Sequence, residues 1–342
     1  MNRTAETIAQ AHSACLDGIS TINSVIATHN KGSDVTKEDF GYDMTHDQKK
    51  ARVSRSVGYL KHQKTFTDWT SESFTDIDAA ISAQMVLNLV EPQSSGIGGG
   101  GFILYYDAKT RNIYAWDGRE KAPMNFSERV FLNSDGKKKG FIEAVSGGLA
   151  VGVPSLVTML EKAHKVHGNM QWKLLFEDSI KLSTEGFIVG KRLSKLTSRA
   201  PHLKNQNTAR EYFNIDNGGL QEGKLKKNLK FADTLKLIRD KGSKAILAGE
   251  LADNIFTIVS EHKISPGLMI KKDFSFVKPV LTTPICGKYR KWKICGMGPP
   301  SSGGITVLQI LGILNNFKLS SDNPNDPEVW HLFLEASKRF GG

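Results

Sequence analysis

The sequence predicts a layered α/β or α+β fold, on three observations. Ile77, Ile81, Met85 and Leu89 recur every four residues, the stripe of a buried helix face. Two short apolar runs, Phe102–Tyr106 and Asn112–Trp116, flank Asp107-Ala-Lys-Thr-Arg111 and read as a β-hairpin. Near the end a strand, Trp292–Met297, precedes a glycine-containing turn and a helix, Ile305–Asn315.

Taken in order, residues 1–76 are polar and weakly patterned, with short helices expected at Ala5–Ile26 and Gln48–Lys61. The texture changes near Ile77. The first helix should stop at Glu91-Pro92, because proline disfavours the helical conformation in the residue before it. A glycine-rich loop, Ser94–Gly101, leads into the hairpin. Leu156, Met159, Leu160, Ala163 and Val166 form an amphipathic face entered through Pro154-Ser155. Further helices are predicted at Trp172–Ser183, Phe231–Arg239, Leu251–Glu261 and Glu328–Arg339, with residues 200–230 as an exposed, loop-rich linker. The sequence contains no internal repeat.

With 39% hydrophobic and 24% charged residues, the 342-residue chain has the composition of a soluble globular protein. Its 46 basic and 35 acidic residues give a formal charge of +11. The clusters Lys49–Lys50–Arg52, Lys137–Lys138–Lys139, Lys224–Lys226–Lys227 and Lys288–Arg290–Lys291 are read as solvated surface without an aromatic-interleaved stripe, so no nucleic-acid partner is expected. Cys15, Cys286 and Cys295 form no CxxC pair; Cys286 and Cys295 are expected to be small buried hydrophobes, with neither a metal nor a disulfide framework. No cofactor is expected. The N-terminus lacks the apolar core of a secretory signal and no run is long enough for a membrane span, so the chain as written is expected in the cytoplasm, without a membrane partner.

Three motifs are candidates for chemistry. Gly96, Gly98 and Gly101 satisfy G-x-G-x-x-G, but the order is helix, loop, strand, the reverse of a dinucleotide site. The remaining readings are close approach of another chain segment or of a small ligand. Pro299-Pro-Ser-Ser-Gly-Gly304 opens a helix and reads either as ordinary capping by Ser302 or a neighbour, which physics favours, or as an anion cradle. Arg119, in Asp117-Gly-Arg-Glu120, can form a surface ion pair or hold a carboxylate through two parallel hydrogen bonds. His164 and His167 are expected to be exposed rather than ligands.

Together these stretches resemble the γ-glutamyltransferase (γ-glutamyltranspeptidase, glutathione hydrolase) family. The shared text runs from Ile77-Asp-Ala-Ala80 and Val90-Glu-Pro-Gln-Ser-Ser-Gly-Ile-Gly-Gly-Gly-Gly101 through Asp117-Gly-Arg-Glu120 and Ala122-Pro123. It continues with Gly152-Val-Pro154, Trp172-Lys-Leu-Leu-Phe176, Glu185-Gly-Phe187, Gly298-Pro-Pro-Ser-Ser-Gly-Gly304 and His331-Leu-Phe-Leu-Glu-Ala-Ser337. Each match is weak alone; the ordered set is specific.

The resemblance implies the large-subunit part of an Ntn-hydrolase αββα sandwich, here residues 77–342, behind a divergent segment 1–76. It also implies that Arg119 binds the α-carboxylate of a γ-glutamyl substrate such as glutathione. In the family the nucleophile is a threonine at the start of a small subunit, whose own α-amine can serve as base. That threonine is expected beyond Gly342, so no catalytic residue is assigned and the chain alone is expected to be inactive. A separate small subunit would complete it; a non-enzymatic γ-glutamyl binder and a degenerate gene remnant are the alternatives. Bacterial members are usually periplasmic or secreted. Uncovered apolar faces and open strand edges are expected where that subunit would sit.

Overall fold

The computed structural model describes residues 75–319 and 326–339. The helices expected at Ala5–Ile26 and Gln48–Lys61, and Cys15, lie outside them.

Helix α1 (Asp76–Val90) begins at a capping box. The Thr75 hydroxyl accepts from the Asp78 N–H (3.3 Å) while the Asp78 carboxylate accepts from the Thr75 N–H (2.8 Å). The predicted stripe is its buried face: Ile81 and Met85 are fully buried and Ile77 and Leu89 nearly so. The helix stops at Glu91, before Pro92.

Strands β1 (Gly101–Asp107) and β2 (Asn112–Gly118) form the predicted hairpin, with Tyr105 opposite Tyr114. Strand β2 also pairs antiparallel with a strand the sequence did not reveal, Val280–Thr282, which sets Trp116 against Leu281. Side chains alternate across this three-stranded sheet. Ile103, Tyr105, Tyr114 and Trp116 face the main core; Leu104 and Tyr106 lie on the opposite face and are exposed.

Between these strands the chain is helical: α2 (Phe141–Val145), α3 (Leu156–His167), α4 (Glu177–Glu185), α5 (Lys191–Thr197), α6 (Asn207–Tyr212), α7 (Leu229–Lys241), α8 (Lys244–Leu247) and α9 (Glu250–Ser260). A 3₁₀ turn, Trp172–Phe176, runs straight into α4. The main core joins Ile81, Met85, Met159, Leu160, Phe176, Leu235 and Ile238. The Trp172 indole N–H donates to the Ile238 carbonyl (3.2 Å), tying that turn to α7.

Residues 200–230 are not the exposed linker expected. They hold α6, two 3₁₀ turns and a short strand, and Ile215 and Leu220 are buried. Gly218 and Gly219 adopt positive φ (84° and 95°), a conformation glycine adopts without strain. That turn carries the Leu220 N–H to the Thr197 hydroxyl (3.0 Å) and its side chain into a second core with Phe187, Val189 and Leu193.

After Val280–Thr282 come a second hairpin, Ile285–Tyr289 and Trp292–Gly296, and the helices α10 (Gly303–Leu314) and α11 (Pro327–Lys338). In chain order the strands are β3 (Phe187–Ile188), β4 (Leu225–Lys226), β5 (Val280–Thr282), β6 (Ile285–Tyr289) and β7 (Trp292–Gly296). Cys286 and Cys295 sit directly opposite on β6 and β7, Cα atoms 4.1 Å apart, joined as a disulfide. This corrects the expectation of two buried thiols. Cys286 is exposed, and cross-strand register rather than burial brings the pair together.

Candidate functional site

Three chain segments meet where β2 ends. The Gly99 carbonyl accepts from the Ser155 and Leu156 N–H groups, both at 3.0 Å, so the glycine loop closes the start of α3. The Ser155 hydroxyl donates to the Gly118 carbonyl. Val153 N–H donates to the Lys121 carbonyl (2.9 Å) just beyond. The dense glycines are explained by this crowding. A Cβ on Gly100 would overlap the Glu120 backbone nitrogen and the Gly118 carbonyl, and one on Gly118 would overlap Met159. Of the two readings left open for this loop, the structure shows close approach of chain.

Arg119 emerges from this junction. Its backbone N–H donates to Asp117 Oδ1 (2.9 Å), holding the turn after β2. Its side chain is 50% exposed, and Nε donates to Glu120 Oε1 at 3.2 Å. Among the described residues the two terminal guanidinium nitrogens have no partner. The surface pairing with Glu120 is therefore present, yet it uses the side of the guanidinium that leaves the two-pronged end open.

The first half of the loop is pinned by a polar network that sequence reasoning missed. Gln84 Nε2 donates to Asn88 Oδ1 (2.9 Å), and the Ser95 hydroxyl joins both. Arg192 Nη1, on α5, reaches Glu91 (2.7 Å) and the Ser94 hydroxyl (2.9 Å). The contact spans 101 residues, so no local pattern could show it.

The expected cap at Ser302 is not made. Its backbone is already helical and its side chain forms no capping hydrogen bond. The glycines there serve packing instead, since a Cβ on Gly304 would overlap the Met297 carbonyl and one on Gly296 would press on the Gly304 Cα.

The two histidines of α3 are not exposed as expected. His164 Nε2 lies 2.9 Å from the Met170 carbonyl and 3.3 Å from Asp78 Oδ1. Asp78 is fully buried and also accepts from the Asn169 (3.0 Å) and Met170 (3.3 Å) N–H groups. His167 sits between Tyr105 (4.7 Å) and Tyr114 (4.6 Å), and its Nε2 is buried without a hydrogen-bond partner. Burial holds its pKa below the ordinary histidine value. Helical spacing alone could not show that α3 turns His167 towards the sheet and His164 towards Asp78 and the Met170 carbonyl.

The fold is of the layered α/β class, and the Arg119 turn at the end of β2 is backed by the glycine loop and the start of α3 beneath one covered sheet face. Comparison with known proteins gives the class its family. The sequence model of the family described as Gamma-glutamyltranspeptidase matches residues 75–341, and the chain belongs to that family. It is 38% identical over 260 residues to the glutathione hydrolase proenzyme of Bacillus subtilis (strain 168), which covers 76% of this chain and 44% of that protein. Against glutathione hydrolase 2 of Arabidopsis thaliana it is 34% identical over 264 residues, 77% of this chain and 44% of that one. The chain thus spans less than half the length of these curated relatives. The crystal structure of Helicobacter pylori γ-glutamyltranspeptidase superposes with a TM-score of 0.75 at 28% identity, over 90% of this chain and 84% of that one. The fold is accordingly that of the Ntn-hydrolase γ-glutamyltranspeptidases. Among the described residues no helix is long and apolar enough to cross a membrane.

Proposed function

We propose that this chain supplies the glutamyl-recognition part of a γ-glutamyltransferase or glutathione hydrolase. The large-subunit-like unit is residues 77–342, with 1–76 a separate, divergent segment. One observation carries the reading: Arg119 stands at the end of β2 with both terminal nitrogens open, in a turn braced from below by the glycine loop and α3. A guanidinium fork pairs with a carboxylate through two parallel hydrogen bonds, and its charge never titrates away. Gripping the α-carboxylate of a γ-glutamyl compound would fix the far end of the substrate and so orient its γ-carbonyl for attack. The nucleophile belongs to the length of the relatives that this chain does not match. We place there a small subunit whose leading threonine accepts the acyl group and passes it to water or to an amino acid.

The exposed Leu104 and Tyr106 on the outer sheet face, and the exposed Ile305 and Val307 on α10, are surfaces such a subunit would cover. The test is turnover of a chromogenic γ-glutamyl-anilide by the chain with and without an added small subunit, for wild type, Arg119→Lys and Arg119→Ala. Activity should require the added subunit. Each substitution should raise KM about 10-fold or more, as expected for losing a charge-assisted hydrogen bond. Unchanged KM in Arg119→Ala would remove Arg119 from the site. If glutathione binds in calorimetry in an Arg119-dependent way but no subunit restores turnover, the chain is a binder and the enzyme reading fails.

A further inference from the structure

The sequence Cys286-Gly-Lys-Tyr-Arg-Lys-Trp-Lys-Ile-Cys295 does interleave cations with aromatics, contrary to the reading of Lys288–Arg290–Lys291 as plain solvated surface. The fold makes it a clasped ribbon. Register pairs Lys288 with Lys293 and Tyr289 with Trp292, so the disulfide and the two opposed lysines share one face of β6–β7. The other face packs on α10, where Gly287 lies against Leu308.

At the turn, Arg290 takes positive φ (50°). Its N–H donates to Asn315 Oδ1 (3.1 Å) and its Nη2 to the Phe317 carbonyl (2.8 Å). This brings Phe317, 42% exposed, alongside the ribbon tip, where Trp292 is 51% exposed.

Charge is left unbalanced here. Lys288, Lys291 and Lys293 are all exposed, and among the described residues neither they nor Arg290 enter an ion pair. By contrast Lys137 and Lys139 each have a carboxylate, Asp135 and Glu143. Lysines directly opposed across two strands repel, and an anion bound there would relieve that repulsion.

We infer that the β6–β7 ribbon is a docking site for an anionic lipid surface. Trp292 lies on the face opposite Lys288 and Lys293, so the ribbon would meet the surface tip first. Its lysines would then lie at the phosphate level, with its indole and the exposed Phe317 ring at the headgroup boundary. A nucleic-acid site fits less well. Stacking on bases needs free ring faces, and here Arg290 lies over the Tyr289 ring (5.3 Å) and Lys291 over the Trp292 ring (5.2 Å).

The experiment is co-sedimentation of the 342-residue chain with vesicles of phosphatidylcholine alone or mixed with phosphatidylserine. Binding should require phosphatidylserine and weaken with added salt. Losing Lys288, Lys291 and Lys293 to Gln should each weaken it about 5-fold, roughly 100-fold together. The triple variant Lys224→Gln, Lys227→Gln, Lys230→Gln removes the same charge elsewhere and should bind like wild type. The phosphatidylserine-induced blue shift of tryptophan emission should vanish in Trp292→Phe. Equal loss in both triple variants would show that overall charge, not the ribbon, is responsible and would overturn the proposal. So would absence of binding, or preference for a single-stranded oligonucleotide over the vesicles.

Discussion

Helices α1 and α10 are both rich in aliphatic residues, yet they meet opposite fates. On α1, Ile77 is 2% exposed and Ile81 and Met85 are fully buried. On α10, Ile305 is 38% and Val307 47% exposed, and among its residues only Leu314 is buried. Its neighbour α11 exposes Trp330 and Leu334 to 50% and 53%. A helix that is apolar all round is built for burial on several sides. Helix α1 packs against α3, α4 and the Trp172–Phe176 turn, whereas among the described residues the main neighbours of α10 are the β6–β7 ribbon and α11. The difference shows that apolar content sets the demand for burial, and neighbours decide whether it is met. It also locates the surface on which the proposed small subunit would sit.

Substitutions can break this contrast, and the largest effect belongs to the packed half. Phe176→Ala removes a fully buried ring and should cost about 3–5 kcal/mol in urea unfolding. Leu334→Ala, at an exposed position, should change stability by no more than about 0.5 kcal/mol. Equal losses would mean that the two halves are packed alike.

Next comes Asp78→Ala. It strands the Thr75, Asn169 and Met170 N–H groups around a buried position and should cost about 3 kcal/mol. Asp78→Asn should recover only part of it, because an amide accepts these bonds without the charge.

In the poorly covered half, the disulfide is the main local constraint. Cys286→Ser should lower stability by about 2.5 kcal/mol, the loop-closure entropy of so short a ring. Peptide mapping without reductant should recover Cys286 and Cys295 as one linked peptide. Free thiols at both positions would leave the ribbon held by packing alone.

The smallest effect concerns pH. Burial keeps His167 below its ordinary value of 6.5, so on acidification the unfolded chain takes up this proton before the folded chain does. Its contribution is therefore complete above that pH and drains away as pH falls through and below it. His167→Phe should flatten this part of the pH dependence of urea midpoints, with the ring still filling the space between Tyr105 and Tyr114. A slope unchanged in the variant would assign the effect to other groups.

Much of the first half of the fold was legible. The four-residue stripe of α1, the β1–β2 hairpin and the entry to α3 are short-range patterns, and each reappears at nearly its predicted bounds. The linker reading of 200–230 failed because its order rests on positive-φ glycines and on single long-range contacts such as Leu220 with Thr197. Arg119 could be picked out only through the resemblance, since its own neighbours favour a surface ion pair.

What the sequence by itself determined was the longer helices, the first hairpin and membership of the γ-glutamyltranspeptidase family, because periodicity and motif order are local. Only the tertiary structure decided which groups meet. It joined β5 to β2, set Cys286 opposite Cys295, enclosed His167 between two tyrosines, and left the end of the Arg119 guanidinium open. Those outcomes depend on register and on neighbours distant along the chain, which no local spacing records.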